Sequence, residues 1–236
     1  MFVNLDEKCA TWELVGKTVA ADKAKNVFQL GTKKNLYNRY GTLIAQMHLI
    51  GFNEDENMAG ARLRTTWMAK YSTISGVMNS STVDSPRGST IGGWETSEAR
   101  AFLNGYLFSQ LPEYLQKMIK PAVKLSDHGY TGVGLLNNML CRTVDKIWLP
   151  SIAELGYSKW SDDQGVVSGQ GKHYSGLATI DDCIVNHIPG GSGKIAWLRS
   201  SYKGSETNFF SIGTSGVPFN ESHASEGYIY PFCFCI

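Results

Sequence analysis

Residues 196–236 read AWLRSSYKGSETNFFSIGTSGVPFNESHASEGYIYPFCFCI, and the reading of this stretch decides the fold. Two apolar pieces, Ala196-Trp197-Leu198 and Tyr228 through Ile236, enclose a middle rich in Ser, Thr, Asn and Gly. That is the pattern of buried strands carrying exposed loops. In the final run Tyr228, Tyr230, Phe232, Phe234 and Ile236 share one parity, while Ile229, Pro231, Cys233 and Cys235 share the other. A strand apolar on both faces belongs inside a sheet. Pro231 has no N–H to give a ladder, so an edge or a bulge is expected there, and the chain is expected to end inside its own core.

Working outward, the 236 residues suffice for a substantial core without staples, and one elaborated domain over 1–236 is the preferred reading. Residues 1–40 are set apart as a β-rich or attachment segment. The 22 basic and 21 acidic residues nearly cancel and form no basic stripe, which argues against nucleic acid as a partner. No apolar run is long enough for a bilayer, and MFVNLDEKC at the start lacks the layout of a cleavable signal peptide. A soluble chain with no membrane partner is expected. Five cysteines, Cys9, Cys141, Cys183, Cys233 and Cys235, are odd in number and contain no CxxC pair. They read as buried thiols, with no metal and no cofactor assigned.

The first seventy residues read as a β-rich approach, with short apolar runs at Trp12 to Val19 and Val27 to Leu30 and a stronger strand at Leu43 to Phe52. His48 inside that strand reads as a core histidine, and Asn53 to Asn57 as a solvated turn. Ser72 to Gly93 is loop. Ala99, Phe102, Leu103, Tyr106 and Leu107 then mark one helical face, capped at Glu95 or Thr96, with Trp94 folded back as a staple. A second helix from Leu111-Pro112 buries Leu115, Met118 and Ile119 and should pack on the first. Lys146 to Leu149 reads as a strand, Ser151-Ile-Ala-Glu154 as a capping box, and Gly156 as the left-handed residue that closes it. Ser158 to Gly193 is mostly loop.

Chemical motifs are sparse. Gly190-Gly191-Ser192-Gly193-Lys194 fails as a phosphate loop, because Ile195 stands where a magnesium-binding hydroxyl belongs. His128, His173, His187 and His223 fall in no recognisable catalytic signature, so no catalytic residue is assigned. Asp162-Asp163 and Asp181-Asp182 read as solvated loop carboxylates. Cys233 and Cys235 share a face of the last strand, which suits either a soft metal such as copper(I) or packing as small hydrophobes; packing is favoured. The middle of the C-terminal tract differs. Tyr202, Lys203, Asn208, Phe210, Asn220, His223 and Tyr228 set aromatic, amide and basic groups among Ser and Gly, a mixture like that of an antibody paratope. The alternative places Tyr228 and one of Phe209 or Phe210 in the core and leaves the rest as turn residues.

Several segments together carry a family resemblance. They are Gly92-Gly93-Trp94-Glu95-Thr96-Ser97-Glu98-Ala99-Arg100, Leu111-Pro112 with Ile119-Lys120-Pro121, Thr143 through Ser151, and Trp197-Leu198-Arg199-Ser200 with the Phe-Cys-Ile end. Over roughly residues 40–236 the chain resembles a bacterial and phage domain family of unassigned function, often found at the ends of phage tail or surface proteins. It is also similar to the C-type-lectin-like fold of formylglycine-generating enzymes and of retroelement-diversified variable proteins. The resemblance implies an α+β domain, two helices packed on a twisted, mainly antiparallel sheet, with Trp94, Arg100, Trp148, Trp197 and Arg199 as framework. Function does not follow from fold; the first hypothesis is a binding module on a virion or bacterial cell surface, its ligand a cell-surface protein or glycan, its assembly a homotrimer or attachment to a virion. No Glu-Pro-Asn or Gln-Pro-Asp motif supports a calcium-dependent lectin. The Cys-x-Cys end departs from the wider cysteine pair of the oxidases. A copper oxidase of the formylglycine-generating type and a structural virion component without ligand remain the alternatives, as does diversification of the Ser201 to Tyr230 loops by a retroelement.

Overall fold

Trp12, Val15 and Val19 recur at helical spacing and are all buried. In the computed structural model, which describes residues 11–130, 139–157, 165–187 and 193–236, they form the inner face of α1 (Trp12–Ala20). The Thr11 hydroxyl caps this helix by accepting from the Leu14 amide at 3.3 Å. Within the β-rich approach expected of the first seventy residues, the run at Trp12 to Val19 is therefore a helix, while Lys33–Tyr37, Leu43–Gly51 and Thr66–Ser72 are strands. Trp12 meets Trp67 edge-on at 5.1 Å and Phe234 at 5.5 Å, so α1 packs on the same core as the end of the chain. A single turn, α2 (Ala24–Val27), follows.

The strands β1 (Lys33–Tyr37), β2 (Leu43–Gly51) and β3 (Thr66–Ser72) form an antiparallel meander. A short β4 (Ser75–Gly76) then leads into the expected loop. Helix α3 (Gly93–Thr96) buries Trp94, and α4 (Glu98–Phe102) continues through a π-turn over Leu103–Leu107 into α5 (Phe108–Gln110). The cap is Ser97, whose hydroxyl accepts from the Arg100 amide at 3.1 Å, rather than Glu95 or Thr96. Ala99, Leu103 and Leu107 are buried as expected, whereas Tyr106 is 61% exposed because the π-turn rotates the face. Helix α6 (Glu113–Met118) packs on α1, with the Met118 thioether against Gly16, a partner that no local pattern announces.

The remaining strands are β5 (Ala122–Asp127), β6 (Leu140–Asp145), β7 (Asn186–His187), β8 (Ala196–Ser201), β9 (Asn208–Ile212), β10 (Pro218–His223), β11 (Tyr228–Ile229) and β12 (Cys233–Cys235). Residues 146–149 are not a strand; the pairing falls one step earlier, in β6, and only Trp148 bridges to Cys233. One sheet runs β1-β2-β3-β12 with β7 added beside β3, a second runs β10-β9-β8-β11-β4, and β5-β6 is a separate hairpin. The architecture is α+β with mainly antiparallel sheets. Pro231 sits where the chain leaves the second sheet after β11 and enters the first as β12, so the terminal run is buried on both faces by serving two sheets in turn. Gly190, Gly191 and Ser192 of the P-loop-like run and the pair Asp162-Asp163 lie outside the described residues. Among the described residues no helix is long and apolar enough to cross a membrane.

His48 points from β2 with its Nε2 3.3 Å from the Gln46 side-chain oxygen. Burial first, then Lys70 and Lys33, push its pKa down to about 3. The unfolded chain takes up that proton near the ordinary histidine value of 6.5, so stability is fully present above 6.5 and is lost as pH falls toward 3. Urea denaturation between those limits should therefore show a slope of up to about 1.4 kcal/mol per pH unit that is flattened in His48→Gln; equal slopes in the two proteins would count against this account.

Candidate functional site

The capping box at Ser151 forms as the spacing requires: Ser151 Oγ accepts from the Glu154 amide at 3.1 Å, and Glu154 Oε2 accepts from the Ser151 amide at 3.0 Å. Gly156 closes the turn at φ +86°. This turns the Glu154 carboxylate inward, where Lys124 Nζ on β5 donates to its Oε1 at 3.0 Å and Arg199 Nη1 on β8 donates to Oε2. Lys124 also donates to Asp55 and to the Tyr174 oxygen at 2.8 Å, and lies 4.2 Å above the Trp148 ring. Arg199 spends its other N–H groups on Ser126 Oγ and the carbonyls of Leu149, Leu125 and Gln170. Trp94 and Arg100 meet on Asp145, at 2.9 and 2.6 Å, and Trp197 donates to the Gly76 carbonyl at 3.0 Å. The five framework side chains named by the resemblance therefore all hold elements together.

A cavity of about 200 Å³ borders this network at Asp55, Lys124, Glu154 and Tyr174. Its groups are held in one protonation state. Burial alone would raise the Asp55 and Glu154 carboxyls, but Lys124 outweighs it at Asp55, and Arg199 with Lys124 at Glu154, leaving both lowered. Burial alone would lower Lys124; the two carboxylates outweigh it and leave it raised. Burial pushes the Tyr174 hydroxyl and the Cys233 and Cys235 thiols well above their ordinary values. The Cys235 thiol donates to Asp55 Oδ2 at 3.5 Å and lies 3.3 Å from Thr66 Oγ1. No general acid, base or thiolate is poised near neutrality in this cluster.

Of the residues singled out in the C-terminal tract, Tyr202, Asn208 and His223 lie at the Ser201 end of the second sheet, whereas Tyr228 is registered beside β8 at its Ala196 end. Asp127, at the end of β5, accepts from the Ser201 amide at 3.0 Å and from its hydroxyl. The next amide, Tyr202, donates to the Asn208 carbonyl at 2.9 Å, and Asn208 pairs with His223 across β9 and β10. Tyr202, Asn208 and His223 thus stand in a row over three neighbouring chain segments, each half-buried. Asn208 Oδ1 accepts from Thr207 Oγ1 at 2.9 Å and lies 2.8 Å from His223 Nδ1. Glu226 Oε2 accepts from the His223 amide at 2.9 Å and from the Tyr228 hydroxyl at 2.7 Å, closing the turn after β10. Burial and that carboxylate push the Tyr228 phenol up to about 12, so it stays a donor. Its ring rests on Trp197 at 4.6 Å and lines a hollow of about 300 Å³ with Ser75, Lys194 and Ile195. Lys203 projects from the turn after β8, its amide donating to the Gly165 carbonyl at 3.0 Å.

Phe210 is placed differently from the expectation. It is fully buried, beside the equally buried Phe209, and takes the Tyr202 ring edge-on at 6.0 Å. It is a floor beneath Tyr202 and not part of the exposed face. The side chain of Asn220 lies outside the described residues. Thr207 and Glu226 escaped the sequence reading; the only hint was the three-residue spacing of His223 and Glu226, which suits a carboxylate-closed turn.

Residues 64–236 match the family model described as Domain of unknown function (DUF6273). No curated protein and no solved structure matches the chain. The network makes a sharp stability prediction. Glu154→Ala strands two buried cations, and urea denaturation should show a loss of about 3–5 kcal/mol, whereas Glu226→Ala, in a half-buried turn, should lose no more than about 1–2 kcal/mol.

Proposed function

The chain belongs to the DUF6273 family, and from that premise we propose that it is a ligand-binding module of a phage or bacterial surface protein. The recognition face is the Ser201 end of the second sheet, with Tyr202, Lys203, Asn208 and His223 as contact residues and Tyr228, registered nearer the Ala196 end, joined to them through Glu226. The observation that carries this reading is the row Tyr202, Asn208, His223, extended by Glu226 to Tyr228. Aromatic and amide groups give contact area and adaptable hydrogen bonds at low entropic cost; here Asn208 and His223 sit on paired strands and Tyr202 directly follows the end of β8. The buried floor of Phe209, Phe210 and Trp197 supports them from behind.

In this reading the α+β architecture is C-type-lectin-like, the ligand is a cell-surface protein or glycan, and the module is displayed on a virion or bacterial cell surface as a homotrimer or as part of a larger particle. Intact bacterial cells and a glycan array are the probes for its ligand. Tyr202→Ala combined with His223→Ala should weaken attachment at least about ten-fold, equivalent to about 1.4 kcal/mol, with the thermal melt little changed; undiminished attachment would overturn the assignment.

A refinement is that the face is diversified by a retroelement. Sequencing the gene across clones should then find substitutions at Lys203, Asn208 and His223 and none at Phe209, Phe210 or Ile212, whose burial forbids them. Substitutions spread evenly over buried and exposed positions would remove the refinement.

A further inference from the structure

Three side chains of different chemistry meet on the far side of β5. Glu95 comes from α3, His128 directly follows β5, and Cys141 lies in β6. Their ligand atoms all lie within 4.8 Å of one another, and His128 Nδ1 is 4.0 Å from Glu95 Oε2. The meeting is built by backbone. Gly129 holds φ +71°, and a Cβ there would collide with the Thr90 carbonyl, so only glycine lets the chain turn at this point. The Gly129 amide donates to Asp127 Oδ1 at 3.0 Å, the Tyr130 amide donates to Thr90 Oγ1 at 3.2 Å, and His128 is fixed between them. Cys141 is buried with its thiol donating to the Ser126 carbonyl at 3.3 Å, while Glu95 and His128 are partly open to solvent.

We propose that Glu95, His128 and Cys141 form a zinc site with a fourth position open to solvent. One sulfur, one imidazole nitrogen and one carboxylate oxygen form the mixed donor set that suits zinc and is wrong for magnesium or calcium, which take oxygen. A tetrahedral ion with bonds of about 2.0–2.3 Å sets its donors roughly 3.3–3.8 Å apart. Rotation of the partly exposed Glu95 and His128 side chains supplies the remaining closure of about an ångström. On binding, the Cys141 thiol releases its proton to solvent and the sulfur bonds the metal as thiolate, so one proton leaves for each ion taken up. Burial first, then the charges of Glu95 and Asp127, push that thiol up to about 11 in the metal-free protein. The same negative charges favour a divalent cation there. Bound zinc would tie α3 to the β5-β6 hairpin, beside the Thr90 contacts that reach the turn after β8 through the Ser205 and Glu206 carbonyls.

The site stands independently of the recognition face, and its test uses the full chain under reducing conditions. Zinc is titrated against a chromophoric chelator, and cobalt(II) is used as a spectroscopic substitute. The expected result is one equivalent of zinc and a thiolate-to-cobalt charge-transfer band that is lost in Cys141→Ala. Glu95→Gln and His128→Gln, at partly exposed positions that keep the fold by circular dichroism, should each weaken zinc binding about ten-fold or more. Absence of stoichiometric uptake would overturn the proposal, as would uptake unchanged in both Glu95→Gln and His128→Gln, whether or not Cys141→Ala folds.

Discussion

A carboxylate shared by two buried cations is the constraint on which the rest of this structure depends. Glu154 holds Lys124 through one oxygen and Arg199 through the other, and Lys124 passes the connection on to Asp55. Two carboxylates and two cations make the group neutral, which is the condition under which charge survives away from water. The partners come from all three sheets. Lys124 lies on the hairpin and Arg199 on the second sheet, while Asp55 accepts at 2.5 Å from Thr66 on β3 of the first. A slip in any one sheet would strand a charge, so the network selects one mutual arrangement of the three.

That arrangement is what presents the proposed recognition end. Arg199 is only three residues before Tyr202, and Asp127 is three after Lys124. Once Arg199 and Lys124 are paired, Asp127 is aimed at the Ser201 amide, and the chain leaves β8 in a set direction. The buried rings of Trp197, Phe209 and Phe210 then fix the faces of β8 and β9. The polar side chains beyond them need no ordering of their own backbone to meet a ligand. The same strand end places His128 toward Glu95 and Cys141, so one short segment of β5 serves the core, the recognition end and the proposed zinc site.

Much was legible in the sequence where the controlling interactions are local. The Ser151 and Glu154 capping box, the left-handed Gly156, the strand at Leu43, and the terminal run buried on both parities all follow from patterns that span a few residues. Where local signals were weaker, the reading slipped. The nine residues of α1 carry too few turns for their period to stand out, and the π-turn over Leu103–Leu107 rotates a helix face that an unbroken period places elsewhere. Phe210 was read as a surface aromatic because composition cannot tell which parity of a short strand meets the core.

By itself, then, the chain determined its caps, its turns, its buried strands and the polar tract between them, because each depends on neighbours a few bonds away. Only the tertiary structure decided that Glu154 serves Lys124 and Arg199, and that Glu95, His128 and Cys141 share one space. The physical reason is that these groups come from elements far apart along the chain. Their meeting is set by which sheets pack together, and no spacing within one element encodes that.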